Sequence, residues 1–209
     1  MADSFSTLII ATVSIAVVHA FAPDHWLPFV MIGKAQKWSK PKLSFVAFVS
    51  GLGHVGSSII LGAIGILAGV ASIKLQGVEA TRGEIGIYLL IGFGIAYALW
   101  GLKHARHHHH HSSELSTKKV VTLWTLFAVF VLGPCEPLIP LMFLGTAYGW
   151  SGIATVSIMF GLVTLIMMVG QSLLGYAGIQ LIKHDFAEKF SHALAGGVIV
   201  LTGVFLYFI

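Results

Sequence analysis

The chain has 209 residues, of which 56% are hydrophobic and 10% charged, and its mean hydropathy is +0.90. This composition excludes an ordinary water-soluble domain and favours an integral membrane protein. The formal net charge of +4 comes from residues between apolar stretches, which fits lipid headgroups and argues against nucleic acid as a partner. The single cysteine, Cys135, cannot form an intrachain disulfide, which excludes a disulfide-stabilised secreted scaffold.

Six apolar stretches are long enough to cross a bilayer, which takes about 20 residues. No basic residue precedes the first stretch, so we expect a membrane helix there and not a cleaved signal peptide. Prolines predict a break in the first and fourth helices, at Pro23 and Pro28 and at Pro134, Pro137 and Pro140. The stretches cover approximately residues 5–32, 43–72, 85–102, 120–147, 150–182 and 190–209.

The lysines and arginines predict the orientation, because positive loops stay on the cytoplasmic side. Loops one, three and five hold most of them, so we expect these loops in the cytoplasm and both termini outside. These residues are Lys34, Lys37, Lys40, Lys42, Lys103, Arg106, Lys118, Lys119, Lys183 and Lys189. Loop two, on the other side, contributes Lys74 and Arg82.

An internal repeat relates residues 27–39 to residues 139–151. The identical pairs are Pro28 and Pro140, Gly33 and Gly145, Ala35 and Ala147, Trp38 and Trp150, and Ser39 and Ser151. We therefore predict an all-α membrane protein with six transmembrane helices in two inverted three-helix repeats, a plan common among transporters. The first repeat spans residues 1–103 and the second 119–209, with a His-rich cytoplasmic loop at 104–118.

Ionisable residues collect at the predicted breaks. The first broken helix contains His19, Asp24 and His25, and the next helix contains His54. Ionisable groups inside a membrane span are costly and mark functional sites. An unbroken helix would place positions 19 and 25 on faces about 240° apart, but Pro23 biases the preceding residue away from helical geometry. The sequence therefore predicts that these side chains share one divalent cation such as Ni, Co or Zn.

The repeat places Cys135 and Glu136 opposite the Asp24–His25 pair, and we consider them an additional metal site. Other interpretations stay open at this point. Asp24 and His25 fit a position at the water interface, and Cys135 fits ordinary packing. His54 fits a hydrogen bond to a neighbouring helix, and Glu136 fits an ion pair with a lysine.

The central loop contains a run of histidines. The tract resembles a purification tag, but its internal position and short length favour native sequence, and such tracts bind metals. On the cytoplasmic side it would capture ions for export. Its members are His104, His107, His108, His109, His110 and His111.

The segment from His19 to His25, HAFAPDH, resembles the His-x-x-x-x-Asp-His signature of the nickel/cobalt transporter (NicO/NiCoT-like) family, within the LysE/CcdA-like membrane transporter group. Gly53-His54 is similar to the Gly-His element of its following helix. The resemblance implies metal binding by His19, Asp24 and His25 with help from His54, in a prokaryotic inner or plasma membrane. Nickel permeases usually have eight spans and further acidic residues in the signature, where this chain has Ala22 and Pro23.

We therefore expect a transporter that exports Ni/Co-like divalent ions from the cell. We expect neither an enzyme nor a permanently bound cofactor. No phosphate-binding glycine loop is present, so ATP coupling would need another subunit. Two alternatives remain. One is a CcdA-like thiol redox protein using Cys135, and the other is an exporter of a small organic or sulfur-containing anion. The expected partners are the bilayer and the ion, and a homo-oligomer is compatible with the sequence.

Overall fold

The computed structural model describes residues 2–106, 114–133, 135–181, 188 and 190–208. Within these ranges the secondary structure is helical and contains no strand, which confirms the predicted all-α class. The first half contains α1 (Ala2–Ala20), a 3-10 turn (Pro23–His25), α2 (Leu27–Ala35), α3 (Lys40–Leu67) and α4 (Ser72–Arg106). The second half contains α5 (Glu114–Leu132), α6 (Leu138–Gly145), a 3-10 turn (Thr146–Tyr148), α7 (Gly149–Gln180) and α8 (Ser191–Tyr207).

Four helical stretches are long and apolar enough to cross a membrane. They are Asp3–Ala20, Lys40–Leu67, Ser72–Lys103 and Leu138–Gln180, the last of which combines α6 and α7. Two shorter apolar stretches, Leu123–Leu132 and Ser191–Tyr207, lie in α5 and α8. Many large apolar side chains on these helices are exposed, as lipid-facing residues would be. The structure is therefore compatible with an integral membrane protein, and the number of six spans stays a prediction.

The first helix breaks where the proline is. Ala22 has φ −55° and ψ 132°, the extended conformation that a residue before proline prefers. The chain then forms the 3-10 turn and resumes as α2, with Pro28 in its first turn, where a missing amide hydrogen costs nothing. The carbonyl of Ala20, near the end of α1, accepts a 3.2 Å hydrogen bond from Gln171 Nε2 of α7. A polar side chain from the other half of the chain therefore satisfies a carbonyl group at this break.

A second break separates α5 from α6. α5 ends at Leu132, and α6 begins at Leu138 directly after Pro137. Pro134, which we also expected to break the helix, lies outside the described residues. Cys135 is between the two helices and is fully buried.

The helices of the two halves pack across one another. α1 packs against α7 and α5 packs against α3, while α3 and α7 also contact each other. α2 lies against α7 and α8, and α6 lies against α7 and also contacts α3 and α4. α4 and α8 have the most extensive contact. Apart from α6, which packs mostly on α7, each helix is held mainly by helices of the other half.

Two sequence-based boundaries were wrong. α4 begins at Ser72, so Lys74 and Arg82 belong to this helix and not to a loop. The predicted apolar stretch did not include the first turns of α4, because these turns contain the charged residues Glu79 and Arg82. In the fold the two charges pair with each other. The central segment is also shorter than expected, because α4 continues to Arg106 and α5 already begins at Glu114.

Glycines allow α4 and α8 to approach each other closely. A Cβ atom added at Gly196 would lie 2.6 Å from the carbonyl oxygen of Gly94 and 2.7 Å from the Cα of Ala98. These are backbone atoms, so the clash could be relieved only by separating the helices. The neighbouring Gly197 has nothing within 4 Å of the same added atom.

We expect Gly196→Ala to destabilise the protein by about 1–3 kcal/mol, the usual cost of overpacking. Gly197→Ala is the matched control and should be neutral or slightly stabilising, because alanine is the better helix former. Thermal unfolding in detergent, followed by circular dichroism, measures both. Equal melting temperatures for the two variants would contradict the close packing of α4 on α8.

Candidate metal centre

Three imidazole rings converge between α1, the first 3-10 turn and α3. His25 Nε2 lies 3.1 Å from His19 Nε2 and 3.2 Å from His54 Nε2. The ring of His25 is approximately perpendicular to the other two, and the rings of His19 and His54 are nearly parallel, with an interplanar angle of 9°. One ligand atom from each residue lies within 4.8 Å of the other two. The arrangement brings together three of the four residues that the sequence assigned to the metal.

The helix break is what allows this convergence. His19 is in the last turn of α1, and His25 is the last residue of the 3-10 turn. The extended Ala22 interrupts the helix between these two residues, and His25 Nε2 comes to lie 3.1 Å from His19 Nε2. His54 comes from the middle of α3 (Lys40–Leu67), and both His25 and His54 are almost completely buried.

Hydrogen bonds on the far side of two rings orient them toward the centre. His25 Nδ1 lies 3.0 Å from Asp24 Oδ1, and His54 Nδ1 lies 3.2 Å from the carbonyl oxygen of Phe130 in α5. A carboxylate and a carbonyl are acceptors, so each Nδ1 carries the proton and each Nε2 directs its lone pair inward. Histidines that bind metals are typically held in this way.

The separations of His25 Nε2 from His19 Nε2 and from His54 Nε2 suit ligands of a single ion. Zinc–imidazole bonds are about 2.05 Å long, so two such ligands at a tetrahedral angle lie about 3.3 Å apart. The two observed separations, 3.1 Å and 3.2 Å, are close to this value. Three neutral imidazoles form a donor set that binds borderline divalent cations such as Ni²⁺, Co²⁺ and Zn²⁺.

Cys135 lies next to the three histidines. Its Sγ is 3.7 Å from His19 Nε2, and its side chain is fully buried. A nitrogen at about 2.05 Å and a sulfur at about 2.3 Å from one ion are about 3.6 Å apart at a tetrahedral angle. Cys135 is not within the group of three histidine ligand atoms, but its distance from His19 is the one expected for two ligands of a shared ion.

The two acidic residues named from the sequence have different positions. Asp24 contacts the outer nitrogen of His25, so in this geometry it orients a ligand and is not itself within the group of ligand atoms. Its side chain retains 26% exposure. Glu136 is exposed, whereas its neighbour Cys135 is fully buried.

The predicted capture loop falls outside the described residues. His107, His108, His109, His110 and His111 all belong to this part of the chain. The backbone of His104 lies in the last turn of α4. Metal capture by this tract stays a prediction.

A small cavity, about 40 Å³ in volume, lies against the centre. Asp24, His25 and His54 form one of its walls. Residues of α4, α5 and α8 form the rest, namely Gly83, Gly86, Ile87, Leu90, Val129, Phe130, Gly133 and Leu206. This volume accommodates about one water molecule, or an ion of similar size.

The sequence analysis missed three polar residues that support the breaks. Gln171 caps the end of α1, and Glu79 and Arg82 form a buried ion pair next to the end of α5. Opposite charges three residues apart, directly before an apolar stretch, were the available signal for the pair. The sequence-based prediction had placed Arg82 in loop two.

No family model, curated protein or solved structure matches this chain.

The positions of Cys135 and Glu136 can be tested by thiol labelling. We expect Cys135 to react slowly with a maleimide in the folded protein, because its side chain is buried. Cysteine placed by Glu136→Cys in a Cys135→Ser background should react at least 10-fold faster, and mass spectrometry measures both rates. Equal rates would mean that Cys135 is not enclosed beside His19.

Proposed function

We propose that this chain transports divalent transition metal ions across a membrane and that His19, His25 and His54 bind the ion during transport. The observation that carries the proposal is the convergence of three Nε2 atoms at a helix break. Transporters bind their substrates in the same kind of place, where discontinuous helices face each other inside the membrane.

We further propose that six spans form two inverted three-helix repeats. The interhelical contacts support this plan, since the pairing of α1 with α7 has a counterpart in α5 with α3, and that of α2 with α8 has one in α6 with α4. The segments that align in sequence, 27–39 and 139–151, both contain the short helix after a break. Three helices per half would insert the two halves in opposite directions.

The depth of the centre suits transport. His54 is near the midpoint of α3, a helix of 28 residues, so a membrane that α3 spans would have the ion near its middle. His25 and His54 are buried, and the cavity beside them is too small to be a channel. Passage would therefore require the centre to open to one side at a time.

The donor set supports the class of ion. Imidazole nitrogens with a neighbouring thiol exclude Mg²⁺ and Ca²⁺, which prefer oxygen ligands. Nickel and cobalt are the cargo that the resemblance of the 19–25 motif favours. We propose efflux as the direction, because the distribution of positive residues predicts a cytoplasmic location for the histidine tract, where it would collect ions.

A thiol redox function is less well supported. Cys135 is the only cysteine of the chain, and its side chain is fully buried. Thiol–disulfide exchange requires a thiolate that a partner thiol can reach. An exporter of small anions would need none of the inward-facing lone pairs and predicts no binding of Co²⁺.

Binding of Co²⁺ to purified protein, with His107–His111 replaced by serine, tests the site. We expect one ion per chain by titration calorimetry, and at least a 100-fold loss of affinity in His25→Ala because the central ligand is removed. His192→Ala is the matched control: this histidine bonds to the Tyr97 hydroxyl, outside the cluster, and its loss should change the affinity less than 2-fold. Equal losses in the two variants would contradict the site.

Transport itself is tested in proteoliposomes that contain a metal-sensitive dye. We expect the wild-type protein to raise the initial rate of Co²⁺ or Ni²⁺ entry at least 10-fold over empty liposomes, and His25→Ala to remove this increase. A wild-type protein that binds Co²⁺ but does not increase the flux would overturn transport and leave only a metal-binding membrane protein.

A further inference from the structure

Arg82 of α4 reaches across to the end of α5. Its Nη2 donates hydrogen bonds to the carbonyl oxygens of Gly133 at 2.9 Å and Val131 at 3.2 Å. Its Nε lies 3.5 Å from the carbonyl oxygen of Leu132. The same Nη2 also contacts the hydroxyls of Ser57 and Ser58 in α3, at 3.0 Å and 3.3 Å. One side chain therefore connects α3, α4 and α5.

These contacts satisfy carbonyls that the end of α5 leaves without helical partners. The last four carbonyls of any helix lack such partners, and inside a membrane no bulk water replaces them. At α5, the carbonyl oxygen of Phe130 accepts a hydrogen bond from the Gly133 amide at 3.1 Å and lies 3.2 Å from His54 Nδ1. The carbonyl oxygen of Val131 accepts a hydrogen bond from Ser57 Oγ at 3.1 Å. Arg82 contributes the remaining hydrogen bonds, and its positive charge suits the negative end of the helix dipole.

Glu79 neutralises the arginine. Its Oε1 accepts a 3.0 Å hydrogen bond from Arg82 Nη1, and its side chain is fully buried. The other oxygen, Oε2, has no partner among the described residues. Among the described residues, the carboxylate therefore forms a hydrogen bond only with Arg82. Pairing reduces the cost of placing a guanidinium in an apolar environment.

The same end of α5 holds two parts of the candidate metal centre. The carbonyl of Phe130 keeps the proton of His54 on Nδ1, so that Nε2 faces His25. Cys135 follows two residues after Gly133, which Arg82 holds, and lies next to His19. Movement of this end would rotate His54 and withdraw Cys135 together.

We propose that Arg82 is a positioning residue of the metal centre: by fixing the end of α5, it orients His54 and places Cys135 next to His19. This inference rests on the proposed function, since it assigns a role in metal binding. A merely structural role would instead make Arg82 important for stability and leave the coordination of a bound ion unchanged.

The test compares Co²⁺ affinity and the absorption spectrum of the bound ion in variants of the full chain with His107–His111 replaced by serine. In Glu79→Gln/Arg82→Gln the pair becomes neutral, and no buried charge is left alone. We expect this variant to bind Co²⁺ 10- to 100-fold more weakly, the usual effect of losing a group that orients a ligand. At saturating Co²⁺ its thiolate-to-cobalt charge-transfer absorption should be reduced.

Two further variants keep the result decisive. Arg82→Lys retains the charge, but a lysine cannot bond to three carbonyls and two hydroxyls at once, so we expect an intermediate affinity and spectrum. This variant provides the test if the double variant fails to fold. Lys74→Gln removes an exposed positive charge from the same helix and should change the affinity less than 2-fold.

The possible outcomes separate the two proposals. If the wild-type protein binds no Co²⁺, the proposed function fails, and the role of Arg82 fails with it. If the wild-type protein binds Co²⁺ while the Arg82 variants show the same affinity and spectrum, only the positioning role is overturned. Lower thermal stability with an unchanged spectrum at saturation would overturn it as well.

Discussion

A helix that ends inside an apolar environment must have its terminal carbonyls satisfied by other parts of the protein, and this fold contains two such ends. The end of α1 receives Gln171 from α7, and the end of α5 receives His54 from α3 and Arg82 from α4. The capping groups come from the opposite half of the chain. The breaks are therefore possible only when the two halves are packed together. The site consequently forms only when the whole fold forms.

The same requirement determines the chemistry of the centre. A histidine that caps a helix with Nδ1 directs its other nitrogen away from that helix, and His54 thereby faces His25. Asp24 has the equivalent effect on His25, although it is a neighbour in sequence and not a cap. Rings held in this way need little reorganisation to bind an ion. Metal affinity and the stability of the break consequently depend on the same hydrogen bonds.

The sequence predicted the all-helical class and brought His19, His25 and His54 into one group, because proline has a strong local effect on the backbone and because imidazoles in apolar stretches are conspicuous. It did not predict the separate positions of Cys135 and Glu136, since the direction of each side chain between α5 and α6 depends on tertiary packing. The role of Arg82 was also missed. Hydropathy treats a charged residue as a loop residue, whereas its partners here come from three helices.

X-ray absorption spectroscopy of the Co²⁺-loaded protein, with the histidine tract replaced by serine, would identify the ligands of the ion. We expect a coordination shell that contains three imidazole nitrogens and one sulfur, with the sulfur contribution absent in Cys135→Ser. A shell composed of oxygen ligands alone, or one that is unchanged when His54 is replaced by alanine, would contradict it.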